Sequence, residues 1–80
     1  MKANVYVTLK KGVLDPQGKA VKSALNSLGF KEVMDLRVGK FIEITIDGAG
    51  KREAKKRLEE MCRNILTNPV IEDFRVEIEE

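Results

Sequence analysis

Residues 6–21, YVTLKKGVLDPQGKAV, decide the first half of the fold, because a strand pattern passes into a helix pattern there. Apolar and polar side chains alternate in the first part, which is the period of two expected of a half-buried strand. Asp15 is of a residue type that caps helix N-termini. Pro16 at the first helical position loses no hydrogen bond, because that N–H is unpaired in any helix. The stretch therefore predicts a strand over residues 3–10 and a helix over residues 16–28.

Part of this stretch also resembles a phosphate-binding loop, in which two glycines with four residues between them are followed by Lys and then Ser or Thr. Here five residues separate Gly12 from Gly18, and Ala20 stands where the loop needs a magnesium-binding hydroxyl. Pro16 removes a backbone N–H, and Asp15 places a negative charge where a phosphate would lie. We therefore expect no nucleotide site on this loop.

Gly18 is the residue that the helix prediction does not explain. A glycine in a helix costs about 0.5–1 kcal/mol relative to alanine. Either another backbone or side chain approaches closely there, or the glycine has no structural purpose that the sequence shows. A neighbouring chain is the first interpretation.

The rest of the chain shows the same two patterns. They predict strands over residues 31–38, 41–46 and 71–78, a second helix over residues 51–67, and a two-residue turn at Gly39-Lys40. The order β-α-β-β-α-β predicts one α+β domain over residues 1–80 of ferredoxin-like type. It would have a four-stranded antiparallel sheet, with both helices on one face and the opposite face bare.

Composition argues against several kinds of chemistry. The 80 residues contain no histidine, which removes histidine triads and histidine metal sites. Cys62 is the only cysteine, so no disulfide can form within the chain and a reducing cytoplasm is the expected setting. It lies, with Ile65, on the expected buried stripe of the second helix. We therefore expect its thiol to be unreactive. The 15 basic and 13 acidic residues are interleaved, without a polyanion-binding stripe. We expect no catalytic residue, no cofactor, no metal and no membrane span on this chain.

The bare sheet face leaves an alternative function open. RNA-recognition modules share this topology and stack bases on aromatic side chains of the first and third strands, where Tyr6 and Phe41 lie here. A small binding module for RNA or for a regulatory metabolite is therefore the alternative. Glu43 stands where a second aromatic is expected, and Asp35 and Glu77 would repel phosphate. Contact with protein is favoured, because a small core without disulfides often gains stability by oligomerising.

Three segments, taken together, resemble a known family. They are VLDPQGKAV at residues 13–21, LRVGKFIEITI at residues 36–46 and NPVIEDFRVEIEE at residues 68–80. The chain resembles, over its whole length, the PurS family, the small subunit of phosphoribosylformylglycinamidine (FGAM) synthase. The resemblance implies an accessory subunit of a ligase in purine biosynthesis. That ligase uses ATP and glutamine to convert formylglycinamide ribonucleotide (FGAR) to FGAM.

The resemblance also implies partners. ATP and Mg would lie on a large synthetase subunit, and a glutaminase subunit would release the ammonia. This chain would form a homodimer or tetramer in the cytoplasm, would bridge those two subunits, and would contact neither nucleic acid nor membrane. Catalytic residues would belong to the other subunits. The residues of this chain predicted to serve interfaces are Tyr6, Asp15, Gln17, Gly18, Arg37, Lys40 and Phe41.

Overall fold

The computed structural model describes residues 1–47 and 50–79, and these form an α+β fold with three strands and two helices. In chain order the elements are β1 (Lys2–Leu9), α1 (Pro16–Ser27), β2 (Gly39–Thr45), α2 (Lys51–Met61) and β3 (Glu72–Glu79). A π-helical turn, Cys62–Leu66, continues α2. The antiparallel sheet has the order β2-β1-β3.

The core lies where α2 crosses the sheet. In the register of the sheet, Val5 of the central strand β1 is opposite Ile42 of β2 and Val76 of β3. Val5 is fully buried for two reasons. β1 has a strand on each side, and the π-helical turn covers the sheet face to which Val5 points. Leu58 of α2 and Cys62 of the π-helical turn are also fully buried on this face. The alternation predicted for β1 and β3 is therefore confirmed.

The π-helical turn changes which side chains α2 buries at its end. The N–H of Thr67 donates to the carbonyl of Cys62 at 3.0 Å, an i to i+5 bond, and the Thr67 hydroxyl donates to the same oxygen at 2.8 Å. A wider turn rotates the following side chains out of α-helical phase. Ile65 is 81% exposed, so the prediction that it belongs to the buried stripe is wrong.

Residues 31–38 and the predicted turn after them differ from the sequence expectation. Residues 31–38 contain no strand, so the described sheet has three strands and the four-stranded ferredoxin-like arrangement is not confirmed. Gly39 and Lys40 do not form a hairpin turn, because they are strand residues of β2 paired with Thr8 and Val7. A Cβ at Gly39 would collide with the carbonyl oxygen of Val7, which explains the glycine better than a turn does.

Helix α1 does not cover the sheet, so the prediction of both helices on one sheet face is wrong. Gly18 is its only buried residue, and Leu28 after its end is 75% exposed. Residues 28–38 then run back beside α1, and we call residues 16–38 the arm. The radius of gyration is 15.9 Å, against about 12 Å for a compact chain of this length. The arm accounts for this elongation, since it extends away from the sheet.

Candidate functional site

The Asp15 carboxylate joins the start of α1 to the end of the arm. One oxygen accepts the N–H of Gly18 at 2.9 Å, and the other accepts the N–H of Val38 at 3.1 Å. The first bond confirms that Asp15 caps α1, and the second connects residues 23 positions apart in the chain. We call these residues, together with Leu36, the Asp15 clasp. The N–H groups of Gly18 and then Val38 lower the pKa of the Asp15 carboxyl, because both bonds favour its ionised form.

The Asp15 clasp explains Gly18. A Cβ at this position would lie 2.5 Å from Oδ2 of Asp15 and 2.9 Å from the carbonyl oxygen of Leu36. The expected close approach is therefore confirmed, but it comes from the same chain. A neighbouring chain is not needed to account for the glycine.

A cleft next to the Asp15 clasp brings together several of the predicted interface residues. Asp15, Gln17 and Lys40 line it, together with Glu72 of β3. Nζ of Lys40 lies 3.6 Å from Oε2 of Glu72, whose side chain is mostly buried. The other Glu72 oxygen accepts the N–H of Asn68 at 2.7 Å. The cleft therefore presents fixed polar groups of both charges. Arg37 is not among its lining residues but borders an adjacent cleft that also includes Asp15.

The two predicted aromatic residues lie together on the sheet face opposite α2, which we call the bare face. The ring centroids of Tyr6 and Phe41 are 5.1 Å apart, and the rings are tilted by 36°. The guanidinium of Arg75 lies 4.4 Å from the centroid of the Tyr6 ring and 3.2 Å from a Glu77 oxygen. A hydrogen bond to Glu77 and burial raise the pKa of the Tyr6 hydroxyl. The bare face therefore suits contact with protein. It does not suit RNA, because Arg75 already lies over the Tyr6 ring on which a base would stack.

Arg75 and Glu72 were not among the predicted interface residues. Strand alternation places Arg75 on the bare face, but only the register shows that it stands opposite Tyr6. Glu72 is the first residue of β3, and no pattern in the sequence pairs it with Lys40. The bond from Val38 to Asp15 also carries no local signal, because it closes a long loop.

The groups that could react or bind metal are restricted in this structure. Burial raises the pKa of the Cys62 thiol, which opposes its ionisation to the nucleophilic thiolate. Within residues 1–47 and 50–79, no group of three or more His, Cys, Asp or Glu residues is placed to hold a metal ion. Neither helix in these residues is long and apolar enough to cross a membrane.

Comparison with known proteins identifies the family. A family model described as PurS: Phosphoribosylformylglycinamidine (FGAM) synthase matches residues 2–80. The PurS subunit of this synthase from Bacillus subtilis strain 168 is 51% identical over 79 residues, covering 99% of this chain and 93% of the relative. The PurS subunit from Methanocaldococcus jannaschii is 44% identical over 78 residues, covering 98% and 94%.

Solved structures agree with these relatives. A Bacillus subtilis PurS structure matches with a TM-score of 0.87 at 51% identity, covering 99% of this chain and 98% of that one. A chain in the structure of PurLQS from Thermotoga maritima matches with a TM-score of 0.87 at 29% identity, covering 95% and 93%. The chain therefore belongs to the PurS family, whose relatives compared above are subunits of FGAM synthase.

Proposed function

We propose that this chain is an accessory subunit of FGAM synthase that joins the synthetase subunit to the glutaminase subunit. The observation that carries the proposal is that the two groups of candidate interface residues lie on opposite faces of one sheet. Lys40 and Phe41 are consecutive residues of β2, so their side chains point to opposite faces. Lys40 lines the cleft beside the Asp15 clasp, and Phe41 lies beside Tyr6 on the bare face. A protein with two such surfaces can contact two neighbours at once.

In this proposal the chemistry belongs to the partners. FGAM synthase converts FGAR to FGAM with ATP and with ammonia released from glutamine. ATP and Mg²⁺ bind the large synthetase subunit, and this chain acts in the cytoplasm without a catalytic residue or cofactor of its own. What supports this division is that three groups with possible chemistry are already engaged or buried within the chain. Asp15 caps α1, Lys40 pairs with Glu72, and Cys62 is buried.

The proposal includes self-association into a homodimer or tetramer and, in the assembled state, a four-stranded ferredoxin-like sheet. Support comes from the arm, whose apolar side chains include the highly exposed Leu28 and Met34. An apolar surface of this kind marks an interaction site in a small soluble protein.

Reconstitution from three purified subunits tests the bridging role. We expect the synthetase and glutaminase to form FGAM from glutamine when this chain is present and to lose at least about nine-tenths of that activity without it. With ammonium chloride in place of glutamine, the synthetase should remain active without this chain, because no transfer between subunits is needed. Glutamine-dependent activity that survives omission of this chain would show that the bridging role is wrong.

Two substitutions test the interface residues. Gln17→Ala and Arg37→Ala should weaken assembly with the partners at least about fivefold and leave the melting temperature of the isolated chain nearly unchanged, because both side chains are exposed. Arg52→Ala, at an exposed position of α2, is the matched control and should assemble normally. Normal assembly of all three variants, or a large loss of folding stability in the first two, would remove Gln17 and Arg37 from the interface.

A further inference from the structure

We propose that a cleft between the loop after β1 and the arm binds a small organic molecule that carries a phosphate monoester group. The cleft is bordered by residues 9–15, by the start of α1 and by residues 35–37. We call it the basic cleft, because four cationic side chains line it, namely Lys10, Lys11, Lys19 and Arg37. The proposal goes beyond the bridging role and does not depend on it, since it concerns a ligand of this chain alone.

The four cations of the basic cleft are available to a ligand. Within residues 1–47 and 50–79 none of them forms an ion pair with a carboxylate, whereas Lys2, Lys40 and Arg75 each do. They come from three separate segments of the chain, so no helix or strand period accounts for their convergence. Unpaired like charges around one cleft repel one another, and a bound anion would remove that repulsion.

The two carboxylates of the basic cleft are held by the backbone. The two oxygens of Asp15 accept the N–H groups of the Asp15 clasp, and Oδ1 of Asp35 accepts the N–H of Leu36 at 2.9 Å. Since four cations and two carboxylates line it, the cleft has a net charge of +2. A phosphate monoester carries about −1.5 to −2 at pH 7. Its charge therefore matches that of the cleft.

The loop after β1 holds its two lysines in an ordered turn. The N–H of Lys10 donates to the carbonyl of Ile71 at 2.8 Å, and the N–H of Val13 donates to the carbonyl of Lys10 at 3.1 Å. Gly12, the third residue of this turn, has a φ of 87°, the positive value that a type II turn requires there. A ligand therefore does not have to order this loop, which lowers the cost of binding.

Lys19 is not explained by the stability of α1. It lies at the end of the first turn, which has no acidic residue, and a cation there opposes the helix dipole. An anion bound in the basic cleft would offset this effect, because the dipole favours negative charge near the helix start. A phosphate group suits the cleft better than a carboxylate does. Its oxygens can contact cations on several sides, and the Arg37 guanidinium can pair with two of them.

Apolar side chains of the basic cleft offer a surface for the organic part of the ligand. Leu14 is 66% exposed, and Val13 and Leu36 are half-buried. The volume of the cleft is about 510 Å³, within the range of about 300–1,000 Å³ usual for ligand sites. Free phosphate would leave Leu14 uncovered, so we favour an organic ester. The site is not a phosphate-binding loop, because side-chain cations and not successive backbone N–H groups supply the positive charge.

Titration of the full chain with adenosine monophosphate (AMP) tests the site. We expect a dissociation constant between about 10 μM and 1 mM at low salt, measured by calorimetry and by NMR shifts of amides around the basic cleft. Adenosine, which lacks the phosphate, should bind at least about tenfold more weakly. Inorganic phosphate should bind at least about threefold more weakly, because it does not cover Leu14. High salt should weaken AMP binding, since the cations are near solvent.

Substitutions locate the site. Lys19→Glu should weaken AMP binding at least about tenfold and keep or raise the melting temperature, because an acid is favourable near a helix start. Lys19→Arg keeps the charge and should keep the binding. Lys56→Glu makes the same change of net charge at an exposed position of α2, and as the matched control it should bind AMP normally. Leu14→Ala should weaken AMP binding several-fold and leave the binding of inorganic phosphate unchanged.

Four outcomes would contradict the proposal. Absence of saturable AMP binding up to about 10 mM would overturn it. Equal weakening by Lys19→Glu and Lys56→Glu would show that the ligand does not lie in the basic cleft. Equal affinity for AMP and inorganic phosphate would overturn the organic ester in favour of a simple ion, and tighter binding of single-stranded RNA in the same cleft would overturn the small ligand. None of these results changes the glutamine-dependent reconstitution, which tests the bridging role separately.

Discussion

The two helices of this chain are similar in length but have different surroundings. α1 has 12 residues and α2 has 11, and each has an apolar stripe. α2 buries Ala54 and Leu58 against the sheet, and the π-helical turn after it buries Cys62. In α1 only Gly18 is buried, and the apolar stripe that should face a core is largely exposed. An amphipathic pattern therefore shows that a helix has a face to bury, but not which chain provides the contact.

The difference has a physical cause in the connections of each helix. α2 is followed by the π-helical turn and by β3, which pairs with the central strand, so it is held over the sheet at its end. α1 is held at its start by the Asp15 clasp, which joins it to residues 36–38 and not to a strand. A helix of 12 residues is marginal in water by itself. The stability of α1 in the isolated chain should therefore depend on the clasp, whereas that of α2 depends on its own core.

The largest effect expected from this comparison distinguishes two leucines. Leu58→Ala removes a fully buried side chain of α2 and should lower the free energy of unfolding by about 2–5 kcal/mol. Leu28→Ala removes a side chain that is 75% exposed. It should change the free energy of unfolding by less than about 0.5 kcal/mol at protein concentrations where the chain is monomeric. Urea unfolding followed by circular dichroism measures both. An equal loss for both variants in dilute protein would show that α1 packs in the isolated chain as α2 does.

A smaller effect is expected at Gly18. An alanine Cβ would meet Asp15 Oδ2 and the Leu36 carbonyl at less than 3 Å, so Gly18→Ala should open the Asp15 clasp. We expect the free energy of unfolding to fall by about 1–3 kcal/mol, the usual cost of overpacking, although alanine is otherwise the better helix former. Ser23→Ala, at an exposed position of the same helix, is the control and should be neutral or slightly stabilising. A Gly18→Ala protein as stable as the wild type would show that the close approach is easily relaxed.

The comparison also shows how much of the fold the sequence predicts. Local signals were sufficient for β1, β3 and both helices, because their residues repeat with a strand or helix period and Asp15-Pro16 marks a helix start. They failed at Gly39-Lys40, where glycine followed by a polar residue has the form of a hairpin turn. There the glycine is required by the nearby Val7 carbonyl, a contact between strands that no local pattern records. Strand pairing and the position of α1 depend on such contacts.

The candidate site was predictable to a similar extent. Asp15 was identified because it is a typical N-cap residue, and Gly18 because a glycine is unusual in the first turn of a helix; the clasp explains both residues. Tyr6 and Phe41 followed from alternation and do lie together. The partners of these residues could not be predicted, since Val38 reaches Asp15 across 23 positions and Arg75 reaches Tyr6 through the register. Long-range contacts are set by the tertiary fold, and the sequence alone carries no separate signal for them.

The smallest of the three effects concerns the charge of the Asp15 carboxylate. Its pKa in the folded chain is lowered below the ordinary value of 3.8 by the N–H groups of Gly18 and Val38. The carboxylate therefore stabilises the folded chain fully above its unfolded pKa, and this contribution is lost as the pH falls through the lowered folded pKa. Asp15→Asn should lower the melting temperature at pH 7 by about 5 °C, and the difference from wild type should shrink as the pH falls from 5 to 2.

Thermal unfolding by circular dichroism over that pH range, at constant ionic strength, measures the difference. Asp73→Asn replaces an exposed carboxylate of β3 outside the clasp and should leave the pH profile close to that of the wild type. If the decrease in melting temperature caused by Asp15→Asn stays constant from pH 7 to pH 2, the shape of the side chain holds the arm and its charge does not. A loss that shrinks at low pH means that ionised Asp15 holds residues 36–38 against α1. Acid would then loosen the arm first and leave the core under α2 in place.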